Sequence, residues 1–175
     1  VAFFIVELMV MSSGNPDAFF GTYTMQPAKV VHAFTSGDPG LMGMAVLSIF
    51  TSMFLHGGWM HLIGNMLFLN CFGRGMEGRL GRVPYLLFYL GSGILAALAH
   101  LFSDPTSMVP TLGASGAIAG VLGGYLLLWP VAELLGIFLI LFIPIPIRLS
   151  AYWFLGAWFI SQLYEVISTI GQVVP

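Results

Sequence analysis

The sequence predicts an all-α membrane domain, a polytopic bundle of transmembrane helices. Three observations carry that expectation. Of 175 residues, 58% are hydrophobic and only 7% are charged, with a mean hydropathy of +0.97; a soluble domain is about 25% charged. Apolar stretches near the roughly 20 residues that a spanning helix needs recur along the chain. When these stretches are threaded in alternation, four of the five basic residues fall on one side, as the positive-inside rule requires.

Taken in order, the first element is a partial span over about 1–12, inside the apolar run Val1 to Met11. A long connection, 14–48, follows. Gly14, Asn15 and Pro16 break the chain at its start, and Gly37, Asp38, Pro39 and Gly40 near its end. Its Phe19, Phe20, Tyr23, Met25, Val30, Val31 and Phe34 are too apolar for a free loop and suit the membrane interface. Fuller spans are expected at about 51–73, 83–102, 115–130 and 148–169. Arg74, Arg79 and Arg82 crowd the link after the first of these and place it in the cytoplasm. The 14–48 connection and the 103–113 loop, with Ser103, Asp104 and Pro105, then lie outside, while 131–147 and Arg148 return inside. The run 131–143 is too short to span and meets Pro144 and Pro146, so a re-entrant or interfacial segment is expected there. Residues 1–175 read as a single domain. The chain opens without methionine and closes just after an apolar segment, the pattern expected of a fragment of a longer membrane protein.

Composition also excludes. A net charge of −2 does not suit nucleic acid or a polybasic lipid-binding surface. One cysteine, Cys71, allows no internal disulfide. Among His32, His56, His61 and His100 no HExxH pattern exists, and no metal site is expected.

The informative residues are polar groups inside apolar segments, a functional hypothesis by default because lipid makes them costly. His61 and Asn65 are four apart, hence on one helix face. Their helix enters from outside, so both lie in its outer half. Ser115 opens another helix entering from the same side, so two independent helices bring polar groups to a similar depth. At 1.5 Å per residue, 115–130 spans about 24 Å against a hydrocarbon core of about 30 Å, so the serine is expected to be sunk below the surface. A helix N-terminus offers unpaired N–H groups and a positive dipole end to a developing oxyanion. Gly113 permits a positive φ in the loop feeding the serine. Gly116, Gly120 and Gly124 form a stripe that admits a close neighbouring helix.

Each feature has a plainer reading. A serine in a glycine-rich membrane helix is more often packing than chemistry, and a lone His61 could bond a carbonyl. His56 reads as structural, His32 and His100 as interfacial, and Glu77 with Arg79 as a solvated pair. Gln162, Tyr164 and Glu165 could face a neighbour. GxSG alone is weak; GxSG with HxxxN at matching depth is much stronger.

These residues resemble the rhomboid family of intramembrane serine proteases. FLHGGWMHLIGN resembles the family's second transmembrane helix, FGRGMEGRLGR its glutamate-x-arginine element at Glu77 and Arg79, and VPTLGASGAIAGVLG its nucleophile-bearing fourth helix. The match runs from about Phe50 to about Leu163 and implies a rhomboid-like bundle. It implies Ser115 as nucleophile, His61 and Asn65 lining the oxyanion hole with the Ser115 N–H, and Gly113 shaping the loop. Glu77 and Arg79 would be structural. No metal, nucleotide or other cofactor is implied. Expected partners are single-span membrane-protein substrates and the lipid bilayer, with no nucleic acid, in a prokaryotic cell membrane.

One departure stands out. The family pairs its serine with a histidine on a sixth helix, and none of the four histidines here occupies that position. Serine without a base is a weak nucleophile, so these 175 residues alone are expected to turn over little substrate. A rhomboid-like protein that binds transmembrane segments without cutting them is the alternative. A channel or transporter would show an inverted repeat or polar groups at both depths, and neither is seen.

Overall fold

The computed structural model describes residues 2–12, 16–140 and 143–173. It is mostly helical, as expected, and falls into two compact units, Val1–Val121 and Leu122–Pro175.

The first unit begins with α1 (Ala2–Ser12). The breakers Gly14 and Asn15 lie outside the described residues. The rest of the long connection is α2 (Pro16–Tyr23), α3 (Pro27–Ser36) and α4 (Pro39–Ser52). Gly37 takes φ +70 and ends α3, a backbone state that glycine adopts without steric cost. Asp38 then caps α4: its carboxylate accepts from the Gly40 N–H at 2.7 Å and the Leu41 N–H at 3.3 Å, with Pro39 at the first helical position.

The second span therefore does not start at 51. Helix α4 runs to Ser52, residues 53–58 are not helical, and α5 (Trp59–Phe68) begins after Gly57 and Gly58. The glycine pair disfavours helix, and the His56 N–H donates to a carboxylate on α1 rather than to a helical carbonyl. A π-helical turn, Leu69–Gly73, carries α5 on into α6 (Arg74–Leu80). Helix α7 (Arg82–Ser103) is long and apolar enough by itself to cross a membrane.

The two connections assigned to the outer side touch. Met25 and Thr111 exchange backbone hydrogen bonds at 3.3 and 2.8 Å, and the Ala28 N–H donates to the Ser107 carbonyl at 3.0 Å. Thr51 Oγ1 donates to the Tyr23 carbonyl at 2.6 Å. Buried Met25, Val30, Ala33, Ala45 and Ala97 form an apolar core there.

Helix α8 (Ser115–Leu128) is 14 residues long, about 21 Å. Gly116 and Gly120 of its glycine stripe meet α7. A Cβ on Gly116 would lie 2.7 Å from Ala96 Cβ, and one on Gly120 would overlap the Ser92 side chain. Gly120→Val is therefore expected to destabilise the protein by about 1–3 kcal/mol through overpacking. Gly91→Ala on α7, which meets open space, should not. Thermal unfolding of both variants in detergent checks this.

In the second unit the segment expected to be re-entrant or interfacial forms a β-hairpin. Strands β1 (Glu133–Ile140) and β2 (Ile143–Ser150) pair antiparallel, Glu133 opposite Ser150 and Ile140 opposite Ile143. Pro144 and Pro146 are two apart on a strand with one partner, so both backbone nitrogens can face away from the ladder without losing a bond. Arg148 Nη1 lies 3.5 Å from Glu133 Oε2, an exposed pair worth little. Helix α9 (Ala151–Val173) follows. Its first amides are held by the Ala132 and Pro130 carbonyls at 2.8 and 2.9 Å. The Glu165 side chain lies outside the described residues.

Candidate active site

Ser115 is the first residue of α8, and the Ala114 carbonyl accepts the helix's first bond, from the Ile118 N–H at 2.9 Å. The amides of Ser115, Gly116 and Ala117 thus have no acceptor within the helix, and the positive end of its dipole sits at the serine. The preceding loop is fixed from several sides. The Gly113 N–H donates to the Ser52 carbonyl at 2.8 Å. Thr111, already bridged to Met25, also bonds His100 through its hydroxyl, Oγ1 to Nδ1 at 2.6 Å. His100 is therefore an anchor for the loop rather than an ordinary interfacial residue.

Gly113 takes φ +118. A Cβ there would lie 2.6 Å from both Cε1 and Nε2 of His61, and 3.7 Å from Ser115 Oγ. Imidazole and serine hydroxyl thus share the space around one glycine. The serine is exposed and His61 half-buried. Asn65 follows His61 by one turn on the same face of α5 and is buried; its Nδ2 has no protein partner among the described residues. A buried donor left unmade costs about 1–3 kcal/mol, a cost this amide carries among the described residues.

Entry of both helices from one side led to the expectation that Ser115 lies close to His61 and Asn65; the structure brings Ser115 and His61 together at Gly113, with Asn65 one turn along from His61. No histidine bonds Ser115 Oγ among the described residues. His32 is exposed on α3, His100 holds Thr111, and His56 donates from Nδ1 to the Phe54 carbonyl at 3.2 Å. Glu77 lies several turns away in α6, 3.9 Å from Arg82 Nε rather than paired with Arg79 as the sequence suggested. Among the described residues no three His, Cys, Asp or Glu side chains gather as a metal would need.

Two site neighbours escaped sequence reasoning. Loop anchoring by His100 has no local signal. Glu7 did have one: a single carboxylate in the apolar run 1–12 is the kind of group that calls for a partner. It is fully buried against His56.

Gly113→Ala should strain the loop and push His61 aside. A forced positive φ costs about 1–3 kcal/mol, which, carried into the transition state, slows reaction about 10–100-fold. Reaction rates of the full-length parent and variant with a serine-directed probe check this.

Comparison with known proteins bears on the family of the chain. A family model described as the Rhomboid domain matches residues 44–174. The chain is 38% identical over 78 residues to YdcA of Bacillus subtilis, an alignment covering 45% of this chain and 39% of that protein. It is 40% identical over 78 residues to Rhomboid protease GluP of the same organism, covering 45% and 15%. Rhomboid protein 1, mitochondrial, of Saccharomyces cerevisiae is 38% identical over 93 residues, covering 51% and 27%. The aligned parts thus span well under half of each of these relatives. No solved structure gives a significant match. A domain match over most of the chain, across the helices that carry His61, Asn65 and Ser115, makes this integral membrane protein a member of the rhomboid family.

Proposed function

We propose that the full protein is an intramembrane serine endopeptidase that cleaves single-span membrane proteins. The observation that carries this reading is the convergence of Ser115 Oγ and the His61 ring edge on Gly113, at the N-terminus of α8. Ser115 attacks the scissile carbonyl after a base removes its proton. The oxyanion that forms is held by the His61 imidazole, the Asn65 amide and the Ser115 N–H. Collapse of the intermediate expels the amine, to which the base returns the proton, and water then releases the acyl group. The base is a histidine outside these 175 residues. That assignment is supported by the lack, among the described residues, of any histidine bonded to the serine. A prokaryotic cell membrane is the location proposed with this reading; the relatives above are bacterial and mitochondrial.

A rival reading, a rhomboid-like protein that binds transmembrane segments without cutting them, draws on the same lack of a base. A serine-directed fluorophosphonate probe applied to the full-length protein separates the two. The proteolytic reading expects one labelled peptide, containing Ser115. Absence of label at Ser115 would hand the lead to the binding protein.

A further inference from the structure

Helix α1 contributes a residue that the chemistry above leaves unused. Glu7 is 0% exposed, although a carboxylate among apolar groups is costly to withdraw from water. Its Oε1 accepts from the His56 backbone N–H at 2.7 Å, across 49 residues of sequence. Phe4, one turn earlier on the same face of α1, packs edge-on against His56 and Trp59, with ring centroids 6.4 and 4.8 Å apart. Helix α1 thus holds His56 of the non-helical segment 53–58 by one polar and one aromatic contact, and the first residue of α5 by a second aromatic contact.

His56 passes that constraint on. Its Nδ1 faces the Phe54 carbonyl, which can only accept, so Nδ1 carries the proton and Nε2 presents a lone pair. The His56 ring then meets the His61 ring, centroids 5.4 Å apart at 71°. His61 in turn lies against Gly113, beside Ser115. A continuous chain of contacts therefore runs from Glu7 to the oxyanion side of the site. Glu7 Oε2 and His56 Nε2 are both buried without a protein partner among the described residues. An anchor serving stability alone is better made from apolar side chains. A buried carboxyl group bonded to the backbone beside the site calls for an explanation beyond packing.

We propose that Glu7 is a positioning residue for the reaction: through His56 it fixes the His61 imidazole in the orientation that meets the oxyanion at Ser115. The inference rests on the proteolytic reading above. Without the Glu7 bond, the His56 backbone N–H loses its acceptor, and the ring contact with His61 shifts with it.

The test measures kcat, KM and melting temperature of the full-length protein on a single-span substrate, for Glu7→Gln, Glu7→Asp and Glu7→Leu, with Ser115→Ala as the inactive reference. Gln keeps a carbonyl oxygen that accepts from His56 and should stay within about 2-fold of the parent kcat. Leu removes the acceptor, and Asp withdraws it by one methylene, about 1.5 Å, while keeping the carboxyl group. Both should lower kcat about 10-fold with KM unchanged, as expected when a transition-state contact is misaligned. A merely structural role would lower the melting temperature and leave kcat of the folded protein alone. Should Glu7→Leu fail to fold, the Asp–Gln pair decides. Parent-level kcat in Asp or Leu, or an equal loss in Gln, overturns the Glu7 role while Ser115→Ala stays inactive. If Ser115→Ala cleaves like the parent, Ser115 is not the nucleophile, and the proposal, which rests on that role, falls with it.

Discussion

Ser115→Ala in the full-length protein is expected to abolish cleavage of a single-span substrate, by at least about 10⁴-fold, the scale on which losing the nucleophile disables a serine protease. The fold should survive. Ser115 is exposed at the start of α8, alanine is the best helix former, and no packing partner of its hydroxyl is lost among the described residues. The melting temperature should therefore stay close to that of the parent while labelling by a fluorophosphonate disappears. Retained cleavage would show that another group attacks the peptide bond. Retained labelling would show that the probe reads a different serine.

That such a prediction can be made at all reflects how local the informative signals are. His61 and Asn65 are four residues apart in one helix, and Gly113 and Ser115 are two apart at a helix start, so spacing alone puts each pair together. The glycine stripe was equally legible, because a small-residue period of four has few uses in a membrane helix besides close packing.

What stayed hidden depends on partners distant in sequence or on patterns without a period. Phe50 to Leu55 is as apolar as the helix that follows, so hydropathy could not place the start of α5 at Trp59. The deciding contact, His56 with Glu7, lies 49 residues away. The run 131–143 has no alternation to separate strand from helix, and its prolines read as stops rather than as tolerated positions of an isolated hairpin. The choice of Arg82 over Arg79 as partner of Glu77 depends on the turn at Gly81, which starts α7 beside the end of α6.

Asn65→Ala is expected to lower kcat about 10²-fold with KM nearly unchanged, because an oxyanion donor acts only once the carbonyl oxygen gains charge. Stability should move little. The amide nitrogen removed is buried and unpartnered, so its loss relieves a desolvation cost that offsets the small cavity left behind. Asn65→Asp should be worse than Ala, since it puts an acceptor, and in its ionised form a negative charge, where negative charge must develop. Steady-state kinetics on the full-length protein separate the cases. A kcat within about 3-fold of the parent for both variants would remove Asn65 from the oxyanion site. The stabilisation would then rest on His61 and the α8 N-terminal amides alone. An ordering of parent above Ala above Asp, with unchanged KM, is what electrostatic stabilisation of the oxyanion demands, and a purely structural asparagine would not produce it.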